Sequence, residues 1–437
     1  MRTRPFLPLL LVTLAWAAPG GAAGERGGEG PPGAAPEITA ILAQPEIGLG
    51  DLFRLAELAN PRLAAARSDV EAQAGRAQQA GLYPNPELAL GIEEMSLDDP
   101  ELRKTKLELS QALVLGGRRG AAVASAQASL AATTGQALGA RRDALSQVHK
   151  LWAEQIHFRE ADAAFAELAA AADRTLSIAR ARFEAKAAPE SQVTRALLEV
   201  YELDLARQDL DRERARSTAT LSALLGGVEV PVERLGGSLD PDAMEAHLPP
   251  DIDPVLADHP ALQAARFGIT AADAAAGTAQ KERIPDLTIV LGYGSFEPGL
   301  GNYVEAAVAL PLPLFNRNQG RVAETRALAA RARHEARIVA GELEISLAAA
   351  RLRHRQAHDQ LETVSERIAP AAERGLAQAQ EAYRTGRLMF LELVDAQRIF
   401  TDVRLRTLEL RKDLAMSEAD LMSLLGAGPY ADPGVER

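Results

Sequence analysis

Residues 284–318 read IPDLTIVLGYGSFEPGLGNYVEAAVALPLPLFNRN, and this stretch decides the fold. Within it, residues 286–294 and 303–314 alternate between large apolar side chains and small or polar ones, with a Gly-rich loop between them. A period of two is typical of β-strands, and each run has the length of a tilted strand that crosses a bilayer. The stretch therefore predicts a β-hairpin with one apolar face.

The same pattern occurs earlier in the chain, where strands are predicted at 86–95 and 104–115. Three matches are 199 residues apart and one is 200 apart: Asn60-Pro61 with His259-Pro260, Pro86-Glu87-Leu88 with Pro285-Asp286-Leu287, Arg118 with Arg317, and Leu224-Leu225-Gly226 with Leu424-Leu425-Gly426. So constant an offset indicates a tandem duplication with almost no insertions, which sets the architecture of the whole chain.

Composition narrows the classes of protein. The chain of 437 residues has no cysteine, so it forms no disulfide, no thiolate metal site and no lipid-modified amino terminus. A net charge of −12 argues against nucleic acid as a partner. Aromatic residues make up only 4%, and Ala and Leu dominate the long segments, which favours closely packed long helices.

The signal-like start, the Gly- and Pro-rich stretches and the repeat boundaries divide the chain into six segments. They are a secretory signal peptide at 1–23, an extended or disordered segment at 24–50, repeat 1 at 51–225, a linker at 226–253, repeat 2 at 254–426 and a tail at 427–437. The predicted helices are 50–79, 121–183, a third that runs to Leu225, 254–283, 320–383 and 388–425. Pro370 predicts a kink or local unwinding, since proline removes a backbone hydrogen bond.

The helix lengths indicate a cylinder. A helix of about 63 residues is roughly 95 Å long, and the two shorter helices of each repeat nearly add up to it. The short helices would stack end to end beside the long one, with the strands emerging midway. The alternative is an ordinary extended coiled coil, but a coiled coil would not carry the same hairpin twice in register.

Four strands per chain predict an oligomer. An open sheet edge in lipid leaves backbone groups unpaired, and two chains would close a barrel too narrow for cargo. Three chains give a twelve-stranded barrel with a lumen, continued by an α-helical barrel. The side chains expected to face the lumen are Glu87, Glu93, Glu108, Asp286, Thr288 and Glu305.

These features resemble the TolC-like trimeric outer-membrane efflux channels, over nearly the whole chain from about residue 50 to 426. The likeness is strongest at 382–397, AYRTGRLMFLELVDAQ, where the family has a Tyr-x-x-Gly turn followed by Asp/Glu and Asp-Ala at the periplasmic tip. The Gly-Gly-Arg at 116–118 resembles the branch that serves heavy-metal cation pumps. The resemblance implies an outer-membrane homotrimer of a Gram-negative bacterium, a periplasmic adaptor and an inner-membrane resistance-nodulation-division pump.

The first tip, at 181–200, departs from that pattern. Phe183 replaces the tyrosine, Lys186 the glycine, and Gln192 stands where an acid is common. Lys186 is expected in the left-handed conformation that glycine adopts freely. The departure predicts that the two hairpins of a protomer dock differently.

The resemblance also implies roles for the tip residues. Glu392 and Asp395 would form an acidic ring at the constriction, or alternatively would stabilise the start of a helix through its dipole. Adaptor contact and the tip turn are assigned to Tyr383, Arg384, Gly386, Arg387, Leu388, Met389, Phe183 and Lys186. For Gly386, Leu388 and Met389, turn chemistry and hairpin packing are an equally good explanation.

The histidine pairs do not predict a metal site. His354 and His358 stand four apart on a helix but lie among arginines, and His149 and His157 are eight apart. No phosphate loop, nucleophile elbow or Cys/His cluster occurs, so no cofactor is expected.

Three functional classes remain. The leading one is a passive exit duct for a tripartite efflux machine, with no chemistry of its own. A structural or adhesive coiled-coil protein of the envelope is the alternative, and an exported enzyme is the least supported because catalytic motifs are missing.

Overall fold

Two helical repeats share one small sheet. The computed structural model describes residues 34–93, 103–239, 259–297, 301–426 and 430. Repeat 1 and the segment before it contain α1 (Ala34–Leu42), α2 (Leu49–Ala59), α3 (Pro61–Ala80), β1 (Glu87–Glu93), β2 (Arg103–Leu113), α4 (Arg118–Glu184) and α5 (Glu190–Leu224). Repeat 2 contains α6 (Pro260–Lys281), β3 (Leu287–Glu297), β4 (Gly301–Ala309), α7 (Gln319–Thr363), α8 (Ala369–Arg384) and α9 (Phe390–Leu425). The predicted mainly helical fold with four strands is confirmed, while the predicted signal peptide lies outside the described residues.

The predicted single helix over 50–79 is two helices. The side chain of Asn60 accepts hydrogen bonds from the N–H groups of Arg62 (2.8 Å) and Leu63 (3.2 Å), and Pro61 occupies the first helical position. Asn60 therefore ends α2 and starts α3, as a polar cap followed by proline does. His259 caps the start of α6 in the same way, where its Nδ1 accepts from the N–H of Ala261 at 3.2 Å.

The expected distortion near Pro370 is confirmed as a π turn over Val364–Ile368, between α7 and α8. A π turn takes one extra residue into a helix. This agrees with the offset between the repeats, which is 199 at Arg118 and Arg317 but 200 at Phe183 and Tyr383. Helix α4 is regular throughout, so the extra residue of repeat 2 lies at this turn.

The sheet is antiparallel in the order β1-β2-β3-β4, so the two hairpins pair through β2 and β3. One face is apolar and exposed across all four strands. Its rows are Leu88, Leu109, Leu291 and Ala306, then Leu90, Leu107, Tyr293 and Val304. Leu90 is 81% exposed and Val304 is 79% exposed, so no described residue of the chain covers this face.

Two strands end earlier than expected. Strand β4 stops at Ala309, which pairs with Thr288 near the start of β3, instead of reaching residue 314. Beyond that point the chain has no neighbouring strand, and Pro311 and Pro313 lack the N–H of a ladder bond. Strand β2 likewise ends at Leu113 and not at residue 115.

The prediction that 24–50 is extended or disordered is wrong for the part described, residues 34–50. Helix α1 packs on a core formed mainly by α2, α4 and the segment after α5. In that core Ile47 forms a bridge with Leu235, and the Trp152 indole N–H donates to the Gly236 carbonyl at 3.0 Å. Both ends of repeat 1 are therefore fastened to the middle of α4. The rest of the predicted linker, 240–253, lies outside the described residues, as does the tail apart from Tyr430.

An isolated carboxyl lies near this core. Glu418 on α9 has a buried Oε2 without a hydrogen-bond partner, and burial raises the pKa of its carboxyl to about 7. The raised pKa means that the folded chain disfavours the ionised form. Stability is therefore lost as the pH rises from the ordinary value near 4.5 through about 7.

Replacing Glu418 with Gln removes that penalty. We expect the thermal midpoint of Glu418→Gln to equal that of the unmodified protein below about pH 4.5 and to exceed it by a few degrees at pH 8. Thermal unfolding of the detergent-solubilised protein, followed by circular dichroism at several pH values, measures this. Asp413→Asn, at an exposed acid of the same helix, is the control. A difference that does not change with pH would contradict the assignment.

Candidate gate at the helical tips and the polar face of the sheet

Both helix pairs reverse direction through the same backbone turn. Lys186 and Gly386 have φ values of 58° and 73°, so the expected left-handed conformation of Lys186 is confirmed. The N–H of Ala187 donates to the Arg182 carbonyl, and the N–H of Arg387 donates to the Ala382 carbonyl, each at 2.8 Å. These six-residue closures satisfy the last carbonyls of α4 and α8. The two tips therefore differ in side chains but not in backbone.

Tyr383 joins the two tips from a buried position. Its hydroxyl lies 3.1 Å from Gln192 Oε1, to which it donates, and the Arg182 guanidinium lies 4.6 Å from the ring centroid. Phe390 packs against the same ring at 5.7 Å between centroids. Tyr383 is only 2% exposed, so its side chain belongs to the buried core of the tip turn and not to the accessible surface of a single chain. Its counterpart Phe183 is 42% exposed.

The accessible tip surface is made by the turn itself. Exposed side chains there are those of Lys186, Arg384, Arg387 and Met389, with the backbone of Gly386 between them. Arg384 pairs with Glu381 at 2.9 Å, and this hydrogen bond holds the pKa of the Glu381 carboxyl below its usual range. Leu388 is half-buried against the apolar core of the tip. The tips therefore present basic side chains beside the exposed apolar side chains of Met389, Leu391 and Phe183.

Glu392 caps its own helix. One of its carboxylate oxygens accepts a hydrogen bond from the N–H of Met389 at 3.0 Å, at the start of α9. Asp395, one turn further along, is exposed. Within one chain the helix-start alternative is therefore what Glu392 does, and a ring would require further copies.

The opposite face of the sheet is polar and contains a cation that the sequence analysis missed. Lys106 Nζ lies 2.8 Å from Glu108 and 3.0 Å from Glu305, so it neutralises part of the predicted acidic lining. Lys106 shares a strand face with Glu108 two residues later, and this strand alternation is the sequence signal that places Lys106 on the polar face. Thr288 lies on the same face.

The other three predicted lining residues differ in placement. Glu87 is exposed at the start of β1, and the side chain of Glu93 lies outside the described part. Asp286 precedes β3 and forms an ion pair with Arg118 at the start of α4. It therefore fastens the sheet to the helices instead of standing free on the polar face.

The histidines separate into different environments. His149 is buried, with Nδ1 2.7 Å from the Tyr430 hydroxyl, and burial lowers its pKa to about 4. His354 Nδ1 lies 3.4 Å from Ser417 Oγ on α9. His358 instead groups with Asp359 and Glu362, whose ligand atoms lie within 4.8 Å of one another on the surface. The sequence pairing of His354 with His358 is thus not a shared site.

Among the helices that the structure describes, none has a stretch both long and apolar enough to cross a bilayer.

Known proteins with the same organisation are found by sequence and by structure. The family model for outer membrane efflux proteins matches residues 52–227 and 252–427, one match in each repeat. The cobalt-zinc-cadmium resistance protein CzcC of Cupriavidus metallidurans is 26% identical, over 85% of this chain and 88% of its own length. The solved structure of CusC superposes with a TM-score of 0.78 at 18% identity, covering 87% of this chain and 92% of CusC.

A second solved structure shows the same fold. The Neisseria gonorrhoeae MtrE outer membrane channel in its open state gives a TM-score of 0.72 at 19% identity, covering 86% of this chain and 88% of MtrE. Two family matches that together span most of the chain, on a fold shared with these channels, settle its membership. The chain belongs to the outer membrane efflux protein family.

Proposed function

We propose that three copies of this chain form the outer-membrane exit duct of a tripartite system that expels heavy-metal cations. The outer-membrane location and the efflux role are those of the family. The trimer, the periplasmic adaptor, the inner-membrane resistance-nodulation-division pump and the metal cargo are the proposal. The observation that carries it is the four-stranded sheet, which has an uncovered apolar face and two free edges.

The free edges belong to β1 and β4. Their unpaired backbone groups would each cost several kcal/mol in lipid, so the edges must pair with other copies. The repeat predicts how. Leu109 of β2 faces Leu291 of β3, and 199 residues separate these from Val308 and Ile92 respectively. Val308 of one copy should therefore face Ile92 of the next. That pairing also supplies a partner strand for residues 310–312, which follow the end of β4 at Ala309.

The cargo is inferred from two features. CzcC, a cobalt-zinc-cadmium resistance protein, aligns along most of this chain. The acidic side chains Glu87, Glu108 and Glu305 lie on the polar face of the sheet, which three copies would turn toward a lumen. Glu392 and Asp395 would add acids at the tips, because capping by Glu392 uses only one of its carboxylate oxygens. Rings of acids favour cations in a pore.

A barrel with a sealed wall and a lumen should conduct ions. We expect the purified protein, reconstituted in a planar bilayer, to give stable single-channel currents and to run on gels as a three-chain species that heat dissociates. A pore lined with acids favours cations, so the reversal potential in a salt gradient should show cation selectivity. A lone, water-soluble rod that never conducts would contradict the proposal.

The acidic tips should bind divalent cations. The variant Glu392→Gln with Asp395→Asn keeps an acceptor for the Met389 N–H but removes two charges per chain. We expect the concentration of Zn²⁺ that half-blocks the conductance to rise about tenfold, which corresponds to about 1.4 kcal/mol of lost binding.

The control variant is Glu342→Gln with Glu344→Gln, which removes two exposed charges from α7 instead. It should leave the half-blocking concentration unchanged. If the tip variant and this control behave alike, the tips are not the cation site.

A further inference from the structure

An exposed groove of about 650 Å³ runs along the π turn and α8, with α9 as its other wall. Among its lining residues are Arg367, Ile368, Ala371, Ala372, Gly375 and Leu376. Ile368 is 42% exposed, and an added Cβ at Gly375 would meet open space. A single chain therefore leaves an apolar channel beside its second tip.

Repeat 1 has the same surface, but there it is covered. Residues 168–176 of α4 match 368–376 at an offset of 200, with Leu168 for Ile368 and Leu176 for Leu376. Leu168 is only 1% exposed, because α4 packs between α5 and α9 of its own chain. In repeat 2 the place that α9 takes on α4 is empty, and the repeat relation assigns it to α5 of another copy.

The exposed face of α5 fits that role. Leu197, Tyr201, Asp204 and Leu205 fall on one side of the helix at spacings of four, three and one. Tyr201 is 54% exposed and Leu205 is 61% exposed, while Leu197 is half-buried at the edge of the tip core, so no described residue covers most of this side. It is the counterpart of the α9 face, 397–405, that packs on α4.

Charge supplies an independent indication. Within the chain, Arg404 of α9 pairs with Glu167 of α4 at 3.4 Å. At an offset of 200 the matching residues are Asp204 and Arg367, so the acid and the base have exchanged places. Exchanging the signs of both charges keeps the attraction between the two positions. Two surfaces that never meet would have no reason to keep opposite charges at matching positions.

The neutral contact beside it changes character. Thr175 of α4 donates to Gln397 of α9 at 2.6 Å, and both side chains are buried. The matching residues are Gly375, which leaves a hole, and Leu197, which is large and apolar. A buried polar pair is thus replaced by a complementary apolar pair.

We infer that α5 of a second copy of this chain fills the groove, with its Leu197 over Gly375 and its Asp204 beside Arg367. The inference rests on the proposed trimer and assigns the contact that joins neighbouring copies near the tips. The same rule at the sheet gives Arg317 against Glu87 of the next copy, because Arg118 pairs with Asp286 within the chain. At the position of Gly375 and Leu197 the contact between copies is consequently apolar, whereas the matching contact within a chain, Thr175 with Gln397, is hydrogen-bonded.

Because the natural chain has no cysteine, engineered pairs report this contact without background. The full-length double variant Gly375→Cys with Leu197→Cys, purified in detergent and oxidised, should give covalent two-chain and three-chain bands on a non-reducing gel. Thr175→Cys with Gln397→Cys should lose its free thiols yet stay a single chain. Gly375→Cys with Arg195→Cys, which places the α5 thiol on another side of the helix, should not cross-link.

The outcomes separate the two proposals through the native mass of the unoxidised protein. One result is a native mass of three chains, a cross-linked Thr175/Gln397 control and no multi-chain bands from the Gly375/Leu197 pair. That result would overturn this contact and leave the trimer standing. A mass of one chain would overturn the trimer and this contact together.

Charge exchange offers a second test in the same background. Arg367→Glu should lower the yield of the three-chain band at least twofold at low salt, since like charges then meet across the seam. Adding Asp204→Arg should restore the yield. Equal yields in all three proteins would contradict the placement of Asp204 beside Arg367.

Discussion

The structure depends on the backbone groups at the two edges of its sheet. The backbone N–H and C=O groups of a strand edge in lipid have no water to hydrogen-bond with, so they must pair with another strand. The described residues form four strands with one exposed apolar face, and the outer edges of β1 and β4 have no partner strand among them. The requirement to pair these edges is the physical reason for the proposed closed assembly of several copies.

The tandem duplication turns that requirement into specific contacts. Wherever repeat 1 meets repeat 2 inside the chain, repeat 2 should meet repeat 1 of the next copy in nearly the same way. The ion pairs within the chain have oppositely charged counterparts at the matching positions. Arg118–Asp286 corresponds to Arg317 and Glu87 with the same signs, and Glu167–Arg404 corresponds to Arg367 and Asp204 with the signs exchanged. Neutral hydrogen bonds do not survive, since Tyr383 and Gln192 correspond to Phe183 and Glu392. In the proposed assembly, gene duplication thus gives one architecture with two chemically different contacts, one within a chain and one between copies.

Much of the architecture could be predicted from the sequence, because strand alternation and the repeat offset are local or arithmetic signals. The left-handed Lys186 followed from its match to Gly386. The break at Asn60 was missed because the flanking sequence is helical on both sides, although an Asn-Pro pair is itself a stop and start signal. The helix α1 was missed because Gly- and Pro-rich sequence around it suggested disorder. The burial of Tyr383 depends on packing between distant segments, which no pattern within one segment reveals. Strand alternation already places Lys106 on the face of Glu108, but its contact with Glu305 depends on the order of the strands in the sheet.

The most direct test is the structure of the protein in a lipid nanodisc by electron cryomicroscopy. Three chains of four strands should form a closed ring of about twelve strands, a size that leaves a lumen. In that ring Val308 of each chain should lie opposite Ile92 of the next. An isolated chain in the nanodisc whose β1 and β4 edges pair with no other chain would contradict the account.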